Sequence, residues 1–343
     1  MKIKDLIILT DMYGCPNRCK HCWLGHMPNR KMPVNSDILI VEYFKPYFRS
    51  VTFYSWVREP DYCDNYAERW QRDNEISFNA KPQRFELASF WRLVRDENYV
   101  RFLKTVGVNK VQLTFFGTEE MTDWYVGRNG AYQELLQATE LLIDNQITPR
   151  WQVFISTKNA TDIINLLAKS RELKLSERCK AFEDEFSFFI HSGSCDGENR
   201  KLYPLRINKE DMPVELIPYY MNFSETKTEA ELCEMLANDN TCFAYHNKSE
   251  ITLNIANNFD VYFNFTHMHP EWKIGNILSD ESSELVSRII NEDIPALTLA
   301  RNTPVSALVK RFGNPQSHKI FDCEDDDKAY LLNRMVKTKL SLG

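Results

Sequence analysis

Three cysteines crowd into eight positions near the amino end, in Met12-Tyr13-Gly14-Cys15-Pro16-Asn17-Arg18-Cys19-Lys20-His21-Cys22-Trp23, with the spacing Cys-x3-Cys-x2-Cys. The chain has nine cysteines, an odd number, and no secretion signal at its start. Clustering of this kind points to thiols that bind metal rather than to disulfides. The apolar run Leu6-Ile7-Ile8-Leu9 ahead of the cluster is too short, and too closely followed by Asp11, for a signal peptide or a membrane span. Leu6 to Thr10 instead has the composition of a buried strand, so the cysteine loop is expected at a strand's C-terminal end.

At 343 residues and 43% hydrophobic content the chain can bury a large core. Its formal charge of −6 is spread without a basic stripe, which argues against a nucleic-acid partner, and no segment argues for a membrane. A cytoplasmic location is expected. Along the chain, helices near Glu97–Thr105, Ala131–Asp144 and Ala160–Leu173 alternate with strands at Lys110–Phe116, Trp151–Ser156 and Phe186–His191. Such alternation argues for an α/β fold with a parallel sheet and crossover helices. The aromatic-rich stretch 29–90 reads as an irregular insertion or cap. Beyond about residue 220, Glu250–Ile255 and Val261–Phe265 flank Asn257-Asn258-Phe259-Asp260 as a β-hairpin.

Three thiolates can hold three irons of a cubane and leave the fourth iron open for a further ligand. Zinc is the competing reading, with His21 or His26 as a fourth ligand in a non-catalytic interaction module. The Cys-Pro-Asn-Arg-Cys wording, the spacing and the position after a first strand resemble the radical S-adenosylmethionine (SAM) superfamily. The resemblance implies a partial (β/α)6 TIM-like barrel over 1–220, with 29–90 as the insertion, and a small α+β extension of the SPASM or twitch kind over 221–343. It implies a 4Fe–4S cluster on Cys15, Cys19 and Cys22, SAM on its open iron, a 5′-deoxyadenosyl radical, and a reductant such as flavodoxin or ferredoxin.

On the same resemblance, the second strand should end in a Gly-Gly-Glu-like turn meeting the SAM amino group. Phe116-Gly117-Thr118-Glu119 after Lys110–Phe116 is similar to it, so Gly117, Thr118 and Glu119 are expected there. Ser156 is expected near the ribose, and Ser192 with Arg200 near the SAM carboxylate. A plain helix cap for Ser156 and a solvated surface role for Arg200 are equally good readings of those residues alone. Lys273-Ile274-Gly275-Asn276-Ile277 also resembles the SPASM outline, but Phe263 or Asn264 stands where that extension has a cysteine, so no auxiliary cluster is expected. His246, His267 and His269 near Cys242 form a weak zinc alternative. Lacking an internal electron acceptor, the enzyme would favour epimerisation, rearrangement or radical addition over oxidation, with Cys195, Cys242 and Cys323 as candidate hydrogen donors. Because the sequence opens on the first strand, a small molecule, or a short peptide delivered by a separate partner, is the expected substrate.

Overall fold

The computed structural model describes residues 4–22, 24–25, 27–195, 197–243, 249–264 and 268–340. In β1 (Asp5–Thr10) burial alternates along the strand, with Leu6 and Ile8 fully buried. Helix α1 (Ser36–Phe44) buries Ile40, Val41 and Phe44 and returns the chain to β2 (Ser50–Tyr54), which pairs in parallel with β1, Leu6 opposite Val51 and Ile8 opposite Phe53. After α2 (Tyr66–Ile76), α3 (Phe90–Leu93) and α4 (Tyr99–Thr105) come β3 (Lys110–Phe115), α5 (Glu119–Val126), α6 (Ala131–Asp144), β4 (Thr148–Phe154), α7 (Ala160–Glu172), α8 (Leu175–Lys180) and β5 (Ser187–His191). Strands β3, β4 and β5 form a second parallel sheet.

The stretch 29–90 is therefore corrected. It carries a regular crossover unit, α1 and β2, with β2 hydrogen-bonded to β1. Its pattern looks irregular because Ser50–Tyr54 is buried on both faces, so side chains do not alternate between apolar and polar. No ladder joins β2 to β3 among the described residues, so the expected single six-stranded arc is instead two sheets. The chain after α2 spans the interval: Phe78 and Val51 exchange two backbone hydrogen bonds of 2.8 Å, and Gln112 N donates to Glu86 O at 2.8 Å.

The C-terminal region adds β6 (Lys227–Thr228), α9 (Glu229–Leu236), β7 (Glu250–Ile255), β8 (Asp260–Phe263), β9 (Gly275–Asn276), α10 (Ser282–Asn291), α11 (Pro295–Arg301), α12 (Val305–Phe312), β10 (Ile320–Phe321) and α13 (Glu324–Leu340). The hairpin β7–β8 is antiparallel with Ile255 opposite Val261, as the sequence implies; Phe265 lies outside the described residues. Strand β7 pairs in parallel with β1 along its whole length, giving the order β2-β1-β7-β8-β9. The region beyond 220 thus shares its sheet with the strand that leads into the cysteine loop, and one core joins Leu6 and Ile8 to Leu253, Leu297 and Leu331.

Asp327, on the buried face of α13, is fully buried, and neither carboxylate oxygen has a hydrogen-bond partner among the described residues. Burial, with repulsion from Glu229, lifts its carboxyl from 3.8 to about 7. Since the folded state holds this proton over a range where the unfolded chain has released it, the group lowers stability as pH rises from about 4 to about 7. Asp327→Asn is expected to stabilise the protein at pH ~8 by on the order of 2–4 kcal/mol, a gain that vanishes toward pH ~4. Urea unfolding of both proteins across that range checks the sign.

Candidate active site

Beyond β1, Asp11 is almost fully buried and takes a bidentate Arg58 guanidinium at 3.0 and 2.8 Å, while Asn257 Nδ2 reaches the same carboxylate at 3.2 Å. Arg58 also donates to Met27 O, and Asn257 to Pro28 O. One ion pair thereby ties the end of β1, the loop after β2 and the turn of the β7–β8 hairpin into a single base for the cysteine loop. Gly14 adopts φ +86, and a Cβ there would lie 2.7 Å from Asn29 Oδ1. That close approach lets Asn29 grip Cys15, accepting from its N–H at 3.1 Å and donating to its carbonyl at 2.6 Å. Arg18 N and Lys20 N donate to Val126 and Tyr125 carbonyls at the end of α5, pinning the other side of the loop.

All three cysteines line one cavity of about 580 Å³, together with Val57, Arg58 and Glu59 from the loop after β2 and Gln112 and Thr114 from β3. This volume falls in the range of small-ligand sites. Burial pushes the Cys15 and Cys19 thiols up, reinforced by Glu59 and by neighbouring cysteines, so iron must displace their protons to bind. The Cys15 thiol donates to Glu59 Oε2 at 3.8 Å, and Ser89 Oγ donates to Glu59 Oε1 at 2.6 Å. Burial raises the Glu59 carboxyl to about 7 despite the Ser89 hydrogen bond.

Among the described residues, no three His, Cys, Asp or Glu side chains converge as ligands of a single ion would. A cubane instead spreads its thiolates over three irons, and three thiols from one loop on one cavity wall suit that donor set. His21, an expected zinc ligand, is half-buried with its ring 4.5 Å from Phe116 and 5.1 Å from Phe154, and desolvation drops its pKa to about 3. His26, His246 and His267 lie outside the described residues; His269 sits 3.5 Å from Glu271.

The expected SAM residues fall in different places. Gly117, Thr118 and Glu119 follow β3, which is the third strand, and Asp162 of α7 accepts from the Thr118 backbone at 2.5 Å and from its hydroxyl. Glu119 is exposed, and the turn does not line the cysteine cavity. The true second strand, β2, leads instead into Val57-Arg58-Glu59-Pro60, which does. Glu59 followed by Pro60 just past β2 is a local pattern that taking 29–90 as an insertion hid.

Ser156 and Ser192 line a narrow cavity of about 20 Å³ that shares His21 and Phe116 with the large one. Ser156 Oγ lies 2.8 Å from Tyr125 OH, and Ser192 Oγ 2.6 Å from Tyr220 OH. The Asp322 carboxylate, held low by His191, Arg206 and Tyr220 against the effect of burial, accepts from Ser192 N and Gly193 N. Arg200 lines neither cavity; Arg206 lines the small one, fully buried, donating to Gly193 O at 2.8 Å and Cys195 Sγ at 3.0 Å. Its Nη2 has no hydrogen-bond partner among the described residues. No sequence pattern marked Arg206 or Asp322. Of the three candidate hydrogen donors, Cys195 is buried in this cavity, whereas Cys242 and Cys323 are exposed and line neither.

Residues 9–162 match the sequence pattern of the radical SAM superfamily. This segment belongs to that superfamily. It contains the three cysteines, the Glu59 loop and Ser156. The fold resembles that of anSMEcpe solved with bound AdoMet and a Cp18Cys peptide, at TM-score 0.51 and 14% identity over 98% of this chain and 99% of that one. The anSMEcpe structure with bound AdoMet alone gives TM-score 0.51 at 14% identity, over 97% and 98% of the two chains. SuiB of Streptococcus suis, solved bound to its precursor peptide SuiA, aligns at TM-score 0.47 and 13% identity over 91% of this chain and 67% of that one. No curated protein matched the chain. Among the described residues, no helix is long and apolar enough to cross a membrane.

Proposed function

We propose that Cys15, Cys19 and Cys22 hold the cluster, and that the enzyme abstracts a hydrogen atom from a short peptide or small molecule seated in the large cavity. The carrying observation is that one cavity of about 580 Å³ brings together all three thiols and the loop after the second strand. When bound, the cluster supplies the electron that cleaves SAM to a 5′-deoxyadenosyl radical. Around it, the Asp11–Arg58 pair and Asn29 fix the cysteine loop. The Val57–Glu59 turn takes the SAM amino group, the role first expected of Gly117–Glu119. Arg206, buried with one unpartnered nitrogen, takes the carboxylate role first expected of Arg200. Phe90, Leu113 and Phe116 line the apolar side of the cavity and exclude water from a radical.

A peptide substrate is supported by the likeness to anSMEcpe, which was solved with a bound peptide. We further propose a redox-neutral outcome, epimerisation, rearrangement or addition, with Cys195 ahead of Cys242 and Cys323 as hydrogen donor because it alone of the three lines the small cavity that shares His21 and Phe116 with the large one. Anaerobically reconstituted protein given SAM and dithionite is expected to form 5′-deoxyadenosine, measured by mass spectrometry. Iron-loaded protein that forms none would overturn the proposal. Conversion of Cys195→Ala with unchanged product stereochemistry would remove the donor assignment.

A further inference from the structure

The buried Arg206 guanidinium is held from one side by a tripeptide of the C-terminal region, Ile320-Phe321-Asp322. Ile320 O accepts from Arg206 Nε at 2.8 Å, and the fully buried Phe321 ring packs on the guanidinium, its centroid 4.2 Å from Cζ. Ile320 N in turn donates to Ile207 O at 3.1 Å, which laces β10 to the backbone just after Arg206. The opposite grip is Gly193 O, which accepts from Nη1 at 2.8 Å. A guanidinium is a rigid planar fork, so the direction of Nη2 follows from where these two carbonyls stand.

Asp322 fixes their spacing. Its carboxylate accepts from Ser192 N at 3.1 Å, from Gly193 N at 2.9 Å and from Tyr220 OH, and His191 Nδ1 approaches it at 3.6 Å. The two backbone bonds tie the Ser192-Gly193 turn to the end of β10 across 130 positions of chain. Tyr220 gives its only hydroxyl proton to Asp322, so Ser192 Oγ, 2.6 Å from Tyr220 OH, donates to that oxygen. Ser192 thereby turns lone pairs rather than its proton to the small cavity and has no donor for a carboxylate there, whereas Arg206 Nη2 has one.

We propose that Asp322 is the positioning residue of the SAM carboxylate site. It lines neither cavity, and it aims Arg206 Nη2 into the small one by holding Gly193 and Ile320 on either side of the guanidinium. The inference rests on the proposed role of Arg206, and it gives the region beyond residue 220 a direct part in cofactor binding. An asparagine in this place has one acceptor oxygen and a donor amide where the carboxylate accepts on both sides, so one of its backbone donors loses its partner and the turn shifts.

The test titrates iron-loaded wild type, Asp322→Asn, Arg206→Ala and the double variant with SAM and with decarboxylated SAM, which keeps the nucleoside, sulfonium and amino group and lacks only the carboxylate. Asp322→Asn should bind SAM about tenfold more weakly and decarboxylated SAM within about twofold of wild type, with iron content unchanged. Arg206→Ala should lose at least about as much SAM affinity, and adding Asp322→Asn to it should cost no more than about twofold further, because the two residues act as one unit. Unchanged SAM affinity in Asp322→Asn, beside a loss in Arg206→Ala, would overturn the positioning role and leave the proposed function standing. So would equal losses for both ligands, a loss of iron or folding, or a full further loss in the double variant, each of which would assign Asp322 to the general stability of the region. Full SAM affinity in Arg206→Ala would overturn the reading of Arg206 itself.

Discussion

Replacing any one of Cys15, Cys19 or Cys22 by alanine is expected to lower cluster content and 5′-deoxyadenosine yield by at least about 100-fold, beyond the 10–100-fold that loss of a supporting partner around a metal site costs. The three thiols come from one loop and line one cavity, so no neighbouring cysteine can substitute for a lost one: Cys63 and Cys195 are buried elsewhere, and Cys242 and Cys323 are exposed and remote from the cavity lining. Cys242→Ala and Cys323→Ala should keep full iron content and the broad visible absorbance of an Fe–S chromophore. Iron retained at the wild-type level in all three loop variants would contradict the assignment, and so would stoichiometric zinc in protein purified without oxygen.

Glu59→Gln and Glu119→Gln should separate the two candidate turns. A charged hydrogen bond is worth about 1.5–3 kcal/mol, so Glu59→Gln is expected to weaken SAM binding by roughly 10–100-fold, while Glu119→Gln changes it by less than about twofold. The contrast follows from placement: Glu59 is 9% exposed beside Cys15 in the large cavity, whereas Glu119 is exposed at the start of α5. Equilibrium binding of SAM to iron-loaded protein reads both, with iron content measured in parallel because Glu59 touches the Cys15 thiol. A large loss with Glu119→Gln and none with Glu59→Gln would return the role to the turn after β3.

Where a local pattern carried the whole signal, the sequence was legible. The span Ala131–Asp144 reads as an amphipathic helix and is α6 to the residue, and Leu6–Thr10 reads as the strand that delivers the cysteine loop. The hairpin around Asn257–Asp260 was equally plain. Strand β2 was not, because its five residues are buried on both faces and its partner lies about forty-five positions away in the chain, Asp5 opposite Ser50. Missing it shifted the strand count by one, so the turn after β3 was read as the one that follows the second strand. Arg206 and Arg200 look alike in sequence; only the packing of β5, β10 and the Asp322 carboxylate singles out the former.

Taken alone, the sequence determined the chemistry of the metal loop, since three thiols at fixed short spacing must stay together in any fold, and it determined the alternation of helices and strands, which is a local periodicity. The tertiary structure decided what faces that loop. Glu59, the Asp11–Arg58 pair and Arg206 are brought to it by strand pairings and buried ion pairs between segments far apart in the chain, and contacts of that range leave no periodic trace in a single sequence.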